Sequence, residues 1–356
     1  MSLQPAAKAA TPEPQRPPAP DYRITVDGAD ITAKVAPRLI DLTLTDNPGF
    51  EADQLDLALD DADGALAIPP RGAVVDVAIG WRGDGLTEKG TYVVDDVEHT
   101  GAPDRLTIRA RSADLRGGLT AKREQSWHAT TLGAVIQTIA RRNKLDPVIA
   151  AELAGRAIAH LDQTDESDAN LLTRMARDYD AIATVKAGRL VMLPNGRGLT
   201  ASGQALLPVT ITRASGDSHR FAASDRGAYT GVRAHWHDTR AGAKDSVLVG
   251  SDKAPDEPET TEPSAGSVKV MRHTYASKAN AQRAATAEWQ RLQRAVAEFS
   301  ITLARGNPAL IPELPAQVSG WKPEIDGADW IVKRCIHRLT TESLTTAIEL
   351  QIRTPD

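Results

Sequence analysis

Apolar and polar side chains alternate with a period of two from about residue 22 to residue 112 of this chain. Ile40, Leu42 and Leu44 alternate with Asp41, Thr43 and Thr45, and Leu55, Leu57 and Leu59 alternate with Asp56, Ala58 and Asp60. Val75, Val77 and Ile79 continue the pattern. Successive strand side chains point to opposite faces, so this period predicts strands with one greasy face and one polar, often acidic, face. Tyr22–Val26 and Ile31–Val35 flank Asp27-Gly28, a hairpin signal. Short strands separated by Gly, Pro and Asp turns indicate an antiparallel sheet or barrel over 22–118.

Near Leu115 the period changes. Leu132, Val135, Ile136 and Ile139 follow helical spacing behind Thr130 or Thr131 as N-cap. A second helix is predicted from Pro147 to Ala154, ending at Gly155. A third carries Leu171, Leu172, Met175, Ala176 and Tyr179 behind Ser167. A hairpin follows, Ile182–Lys186 and Leu190–Leu193, so 119–205 reads as an inserted α+β domain. Strands resume at Val209–Thr212 and Tyr229–His237, and 206–250 is expected to continue the second half of the protein. The stretch 251–267 holds Pro255, Pro258, Pro263 and five acidic residues and reads as a linker. The longest helix is predicted at 279–299 with Ser277 as N-cap and an apolar stripe of Ala285, Trp289, Leu292, Val296 and Phe299. That stripe is too short for a coiled coil, so the helix is expected to pack on the protein's own sheet. With the strands that follow, it makes 268–356 a second β domain.

Two stretches 238 positions apart read as the same strand pair. Tyr92, Val93, Val94 and His99 map onto Trp330, Ile331, Val332 and His337, and Leu106-Thr107 map onto Leu344-Thr345. Gly80-Trp81 has its counterpart in Gly320-Trp321. The fold class that follows is α+β and β-rich: two related antiparallel, barrel-like tube domains with an inserted α+β domain and a long helix.

Composition narrows the function. A net charge of −5 and the lack of a basic block interleaved with aromatics argue against sequence-specific nucleic-acid contact. The single cysteine, Cys335, excludes an intramolecular disulfide and a multi-thiolate zinc site. No run of 18 apolar residues predicts membrane insertion. The Pro-rich arm at 1–21 lacks an apolar signal region and reads as extended. His235-x-His237 has a spacing that metal sites use, but no third ligand is signalled. Asp60-Asp61-Ala62-Asp63-Gly64 lacks the calcium-loop register and reads as a turn. The Gly-rich run Gly80–Gly85 joins two strands, whereas a phosphate loop should open a helix. No nucleophile elbow, P-loop or zincin helix is present, so neither a catalytic site nor a cofactor is assigned.

Ordered segments carry a family resemblance. They are Ser112-Ala113-Asp114-Leu115, Leu119–His128 with the Thr131-Leu132-Gly133 helix start, Gln163–Leu172, Ala187-Gly188-Arg189-Leu190, Tyr229–Trp236, Ala281, Ala284 and Ala285 before Gly306-Asn307-Pro308, and Trp330–His337. Over about 22–353 the chain resembles the phage late control protein D family, the baseplate hub of contractile tails, which is similar to the base of type VI secretion spike proteins. The resemblance implies a virion structural protein of the tail baseplate, assembled in the bacterial host cytoplasm. It implies a homotrimer whose partners are the tail tube protein and the central spike, with tape-measure and baseplate wedge proteins as further candidates. Two tube-like domains in each of three chains would offer six quasi-equivalent units to a hexameric tube, and the acidic strand faces (Asp56, Asp60) are candidates to line a channel for DNA. The alternative is a tail-associated peptidoglycan hydrolase or carbohydrate-binding component. Where the copies differ most sharply, Asp95-Asp96 is replaced by Lys333-Arg334, and these four residues are the candidate interface between domains or subunits.

Overall fold

The computed structural model describes residues 18–113, 118–186, 188–223, 229–238, 242–250 and 267–354. Most of the expected linker (251–266) and most of the Pro-rich arm lie outside the described residues. The amino-terminal part runs β1 (Pro20–Val26), β2 (Ala29–Asp30), α1 (Thr32–Val35), β3 (Leu39–Asp46), β4 (Gln54–Asp60), β5 (Val74–Trp81), β6 (Gly85–Thr100) and β7 (Arg105–Ser112). Then come β8 (Lys122–Thr131), α2 (Leu132–Arg142), β9 (Asp146–Ile149), α3 (Ala151–Ala154), β10 (Ala157–Ser167), α4 (Asp168–Asp178), β11 (Ala181–Lys186) and β12 (Arg189–Pro194). The rest is β13 (Val209–Thr212), β14 (Gly216–Ala223), β15 (Tyr229–Asp238), β16 (Ala243–Gly250), β17 (Ser267–Tyr275), α5 (Lys278–Arg294), β18 (Ala297–Leu303), β19 (Pro315–Ser319), α6 (Pro323–Asp326), β20 (Trp330–Leu339) and β21 (Leu344–Ile352).

The duplication extends well beyond one hairpin. In space the first copy is ordered β3-β4-β7-β6-β5-β1 and the second β14-β18-β21-β20-β19-β13. Strand for strand, the chain order is the same. All six strands of each copy feed one core. Ile24, Leu44, Leu57, Val77, Val94 and Ala110 meet in the first, and Ile211, Phe299, Val318, Trp330, Val332 and Leu350 in the second, with Phe221 of β14 packed against it. A sheet whose every strand faces one core must curl around it, which gives the barrel-like shape. The copies differ at one pairing: β1 runs antiparallel to β5, whereas β13 runs parallel to β19.

Both β6 and β20 carry a bulge at the same place. Pairing steps from Val94↔Ala110 to Asp96↔Arg109 in the first copy and from Val332↔Leu350 to Arg334↔Glu349 in the second, so Asp95 and Lys333 are the extra residues. The alignment of the return strands needs correcting. His99 lies opposite Leu106, but His337 lies opposite Thr346, because the second hairpin adds one pair, Leu339↔Leu344, before its turn. Leu344 therefore sits two residues away from the structural counterpart of Leu106.

Other expectations are also revised. The chain after the Asp27-Gly28 turn makes only the two-residue β2 and then α1, whose Val35 plugs the first core. The segment at 147–154 is not one helix: Asp146–Ile149 pairs with β12 as a parallel strand, and only Ala151–Ala154 is helical. Tyr229–His237 does not continue the second copy. It is the middle strand of a separate sheet, β16-β15-β17, inserted between β14 and β18. Helix α5 is capped by Ser277 as expected, its hydroxyl accepting from Asn280 N, but it stops at Arg294, leaving Val296 exposed and Phe299 in β18. It packs on that inserted sheet, through Ala281 and Ala285 against Val232, Ala234 and Val247.

Helices α2 and α4 follow the sequence closely. Thr131 and Ser167 cap them by accepting from Ala134 N and Asn170 N. Their apolar faces share one core with the β11–β12 hairpin. The block at 119–205 also contains a long two-stranded ribbon, β8 paired with β10, which periodicity did not mark.

The inserted domain is bolted to the second copy by buried polar contacts. The Arg294 guanidinium donates to Asp180 Oδ2 at 2.8 Å and to Thr354 Oγ1 at 2.7 Å. Gly196 N donates to Glu313 Oε2 at 2.7 Å, and Thr354 N to Gly196 O at 3.1 Å. Gly196 has φ +75°, and a Cβ there would lie 2.7 Å from Arg294 Cδ. Burial pushes the Glu313 carboxyl up to about 7, which the Gly196 amide and Arg294 only partly counter.

The two copies are joined by strand pairing, with Cys335–Leu339 of β20 running antiparallel to Leu42–Asp46 of β3. The buried Trp81 Nε1 reinforces this junction by donating to Gly306 O at 2.8 Å. Trp81→Phe keeps an aromatic ring but loses the pyrrole part of the indole and leaves that carbonyl without its donor, and it is expected to lower stability by about 1–3 kcal/mol, read as a shift in the urea midpoint. A raised carboxyl pKa favours the folded state below the ordinary value of 4.5, and that contribution is lost as pH rises towards 7. Glu313→Gln keeps an acceptor for Gly196 N and removes the ionisation. It should stabilise the protein at about pH 8 by about 1–3 kcal/mol and flatten the pH dependence of the urea midpoint between about pH 5 and 8.

Candidate assembly interface

The four residues singled out in the sequence sit at equivalent places on the two copies. Val94 lies in the first core and Val97 packs against it, three positions on. That spacing is possible because the bulge at Asp95 inserts a residue, which sends both Asp95 and Asp96 outward. The second copy repeats this with Val332 and Cys335 in its core and Lys333 and Arg334 between them. Adjacent charges on one face of a strand break period-two alternation, and the bulge is the reason.

Each set is engaged within its own copy. Asp95 Oδ2 is 2.9 Å from Arg111 Nε, and Arg109 donates to Asp96 at 2.8 Å and to Glu98 at 2.9 Å. Lys333 Nζ donates to Glu298 Oε1 at 2.9 Å. In register, Asp96 lies opposite Arg109 where the second copy has Arg334 opposite Glu349, so the cross-strand charges are exchanged. The outer face of the first copy forms a cleft of about 330 Å3 lined by Gln54, Asp56, Asp95, Asp96, Arg109, Ala110 and Arg111. Partial burial raises the Asp56 carboxyl pKa, with Arg109 opposing the shift. The structure does not bring Asp95-Asp96 against Lys333-Arg334 in one chain.

Where the copies touch, sequence reading missed the central group. Lys89 lies inside the junction, donating to Asp46 Oδ2 at 2.7 Å and to Pro308 O at 3.1 Å, with Nζ 3.1 Å from His337 Nε2. An ammonium only donates, so His337 Nε2 accepts, and its Nδ1–H is left to donate to Thr346 Oγ1 at 2.9 Å. His337 is fully buried; burial pushes its pKa down, against the pull of Asp46, which agrees with a neutral ring. Burial raises the Asp46 carboxyl pKa, and the charge and hydrogen bond of Lys89 bring it down below the ordinary range. The sequence counterpart of His337, His99, sits at a hairpin end, 3.3 Å from Asp61, with the imidazole partly exposed. The same position thus serves as a rim contact in one copy and as the centre of the junction in the other.

The other sequence candidates are structural. Asp60, Asp61 and Asp63 accept from Ala62 N, Leu66 N and Ala65 N, which is turn chemistry. Asp84 pairs with Arg305 at 2.6 Å across the copies. His235 and His237 lie on β15, His237 Nδ1 being 3.2 Å from Ala243 O. Among the described residues no group of three or more His, Cys, Asp or Glu is arranged to hold a metal ion, and no helix is long and apolar enough to cross a membrane.

Comparison with known proteins agrees with this architecture. The chain is 48% identical over 364 residues to the probable baseplate hub protein of Escherichia phage P2, covering 95% of this chain and 94% of that protein. The fold matches a tail protein from Neisseria meningitidis MC58 with TM-score 0.69 at 16% identity, over 95% of this chain and 99% of that one. It also matches the E. coli c3393 protein, a type VI secretion component similar to T4 tail proteins gp27 and gp5, with TM-score 0.55 at 12% identity, over 90% of this chain and 74% of that one. The family model for the phage tail baseplate hub (GPD) matches residues 49–343. With the family model matched over residues 49–343 and a 48% identical relative covering 95% of this chain, the chain belongs to the phage tail baseplate hub family and is a baseplate hub protein.

Proposed function

We propose that this hub acts as a homotrimer that adapts a sixfold tail tube to a threefold central spike. The observation that carries the reading is the strand-for-strand duplication, β3-β4-β7-β6-β5-β1 against β14-β18-β21-β20-β19-β13. Three chains then present six quasi-equivalent units to the tube, and the differences between the copies are available to a threefold partner. Free edges at β14 and at β1–β2 support closure into a ring, since unpaired strand edges favour association. The role is taken as non-enzymatic: in the outer cleft of the first copy, arginines engage the carboxylates of Asp95 and Asp96. Purified peptidoglycan should therefore lose no turbidity on incubation with the protein. Asp56 and Asp60 face away from the first core but lie opposite Arg109 and Arg105, so a channel wall built from this face would carry mixed charge. Tape-measure and wedge proteins are the other partners proposed, and the particle is assembled in the host cytoplasm.

Within the ring, the exchanged charges at Asp95-Asp96 and Lys333-Arg334 make the two copies complementary across a subunit boundary. Native mass measurement with the cognate spike is expected to show trimers, and monomers alone at high concentration would overturn the adapter reading. Alanine at Asp95 and Asp96, alanine at Lys333 and Arg334, and the combination form a double-mutant cycle on trimer dissociation. Coupling of about 0.5–3 kcal/mol is expected, and strictly additive effects would remove these residues from the interface.

A further inference from the structure

On the outer face of the β8–β10 ribbon, His128 and His160 stand directly opposite each other across the two strands. Their rings are 4.7 Å apart between centroids, and the two Nδ1 atoms face each other at 3.0 Å. His160 Nε2 lies 2.7 Å from Asp162 Oδ2, and Ser126 Oγ donates to Asp162 Oδ1 at 2.5 Å. Asp162 thus takes both bonds as a carboxylate, an acceptor only. His160 Nε2 must then carry the proton, which leaves its Nδ1 lone pair aimed at His128 Nδ1. This is the carboxylate–imidazole arrangement that orients histidine ligands in metal centres.

The ribbon holds this pair on a fixed base. On the opposite face, Trp127 packs into the core of the inserted domain and Arg142 bonds Gln125 Oε1 at 2.6 Å. Gln163 Nε2 donates to the buried Asp168 at 2.9 Å. Arg174 donates to the Asp162 carbonyl at 2.8 Å and to Glu166 at 2.7 Å, leaving the Asp162 carboxylate to His160 and Ser126.

We propose that His128 and His160 form a two-imidazole site for a borderline divalent transition-metal ion such as Cu2+ or Ni2+, with solvent completing the coordination. Metal–nitrogen bonds of about 2.0–2.1 Å to two atoms at this separation subtend about 95°, the cis angle of square-planar and octahedral ions. A tetrahedral ion needs the nitrogens about 3.3 Å apart, so zinc fits only after the rings part slightly. As the ion takes both Nδ1 lone pairs, the proton that His128 Nδ1 donates to His160 Nδ1 moves to His128 Nε2, and both imidazoles stay neutral.

Untagged full-length protein titrated with Cu2+ tests the site by calorimetry and electron paramagnetic resonance. The expected result is one ion per chain and nitrogen hyperfine structure from two imidazoles. His160→Ala and His128→Ala should each weaken binding at least about tenfold, and Asp162→Asn about tenfold through loss of ring orientation. All three side chains are exposed on the ribbon, so the variants should keep the wild-type circular dichroism spectrum. His235→Ala with His237→Ala should leave binding unchanged. Undiminished affinity in the His128→Ala/His160→Ala variant, a spectrum with one nitrogen donor, or loss of binding in the His235/His237 variant would overturn the proposal.

Discussion

The pairing of β3 with β20 is the constraint on which the rest of the protein depends. It fuses two six-stranded units into one continuous sheet, so that neither copy has a free edge where they meet. The seam is filled by charge. Lys89, with its side chain 3% exposed, bonds Asp46, Pro308 O and His337. A buried ammonium is tolerated only when paired and fully hydrogen-bonded, and this one draws partners from both copies. The geometry of each copy at the seam is therefore conditional on the other. Thr346 extends the linkage, accepting from Asn307 N and meeting His337 Nδ1.

Around this seam the duplicated units are reused with different chemistry at equivalent places. The bulges at Asp95 and Lys333 are geometrically the same, and they turn two adjacent charges outward in both copies. The first copy places acids on β6 and arginines on β7, whereas the second places basic residues on β20 with Glu298 and Glu349 across from them. Position 99 of the first copy and position 337 of the second diverge for a related reason. One lies on a hairpin rim beside Asp61, and the other lies where β3 covers it. Tertiary placement, more than residue type, set the role of each histidine.

Two inserted units separate or interrupt the copies. The block from β8 to β12 stands between the copies in sequence, and the β15–β17 sheet with α5 interrupts the second copy between its second and third strands. Arg294, at the end of α5, reaches Asp180 of the inserted block and Thr354 at the end of the second copy, tying three units at one guanidinium. Arg is suited to this position because its planar fork can satisfy several acceptors at once and keeps its charge when buried.

The sequence by itself determined what local physics controls. Alternation marked Leu55, Leu57 and Leu59 as core and Asp56 and Asp60 as surface, and the capping candidates Thr130 or Thr131, Ser167 and Ser277 marked three helix starts. The paired hairpins announced the duplication. The tertiary structure decided what depends on partners distant in the chain. Pro147 and Val148 became strand because β12 offered a parallel edge, and α5 ended at Arg294 because Ala297 to Leu303 was taken up by β14 and β21. His128 met His160 only through the pairing of two strands that no periodicity marked. Lys89, an ordinary lysine in a polar run, became the buried centre of the seam because burial of a charge is settled by what closes over it.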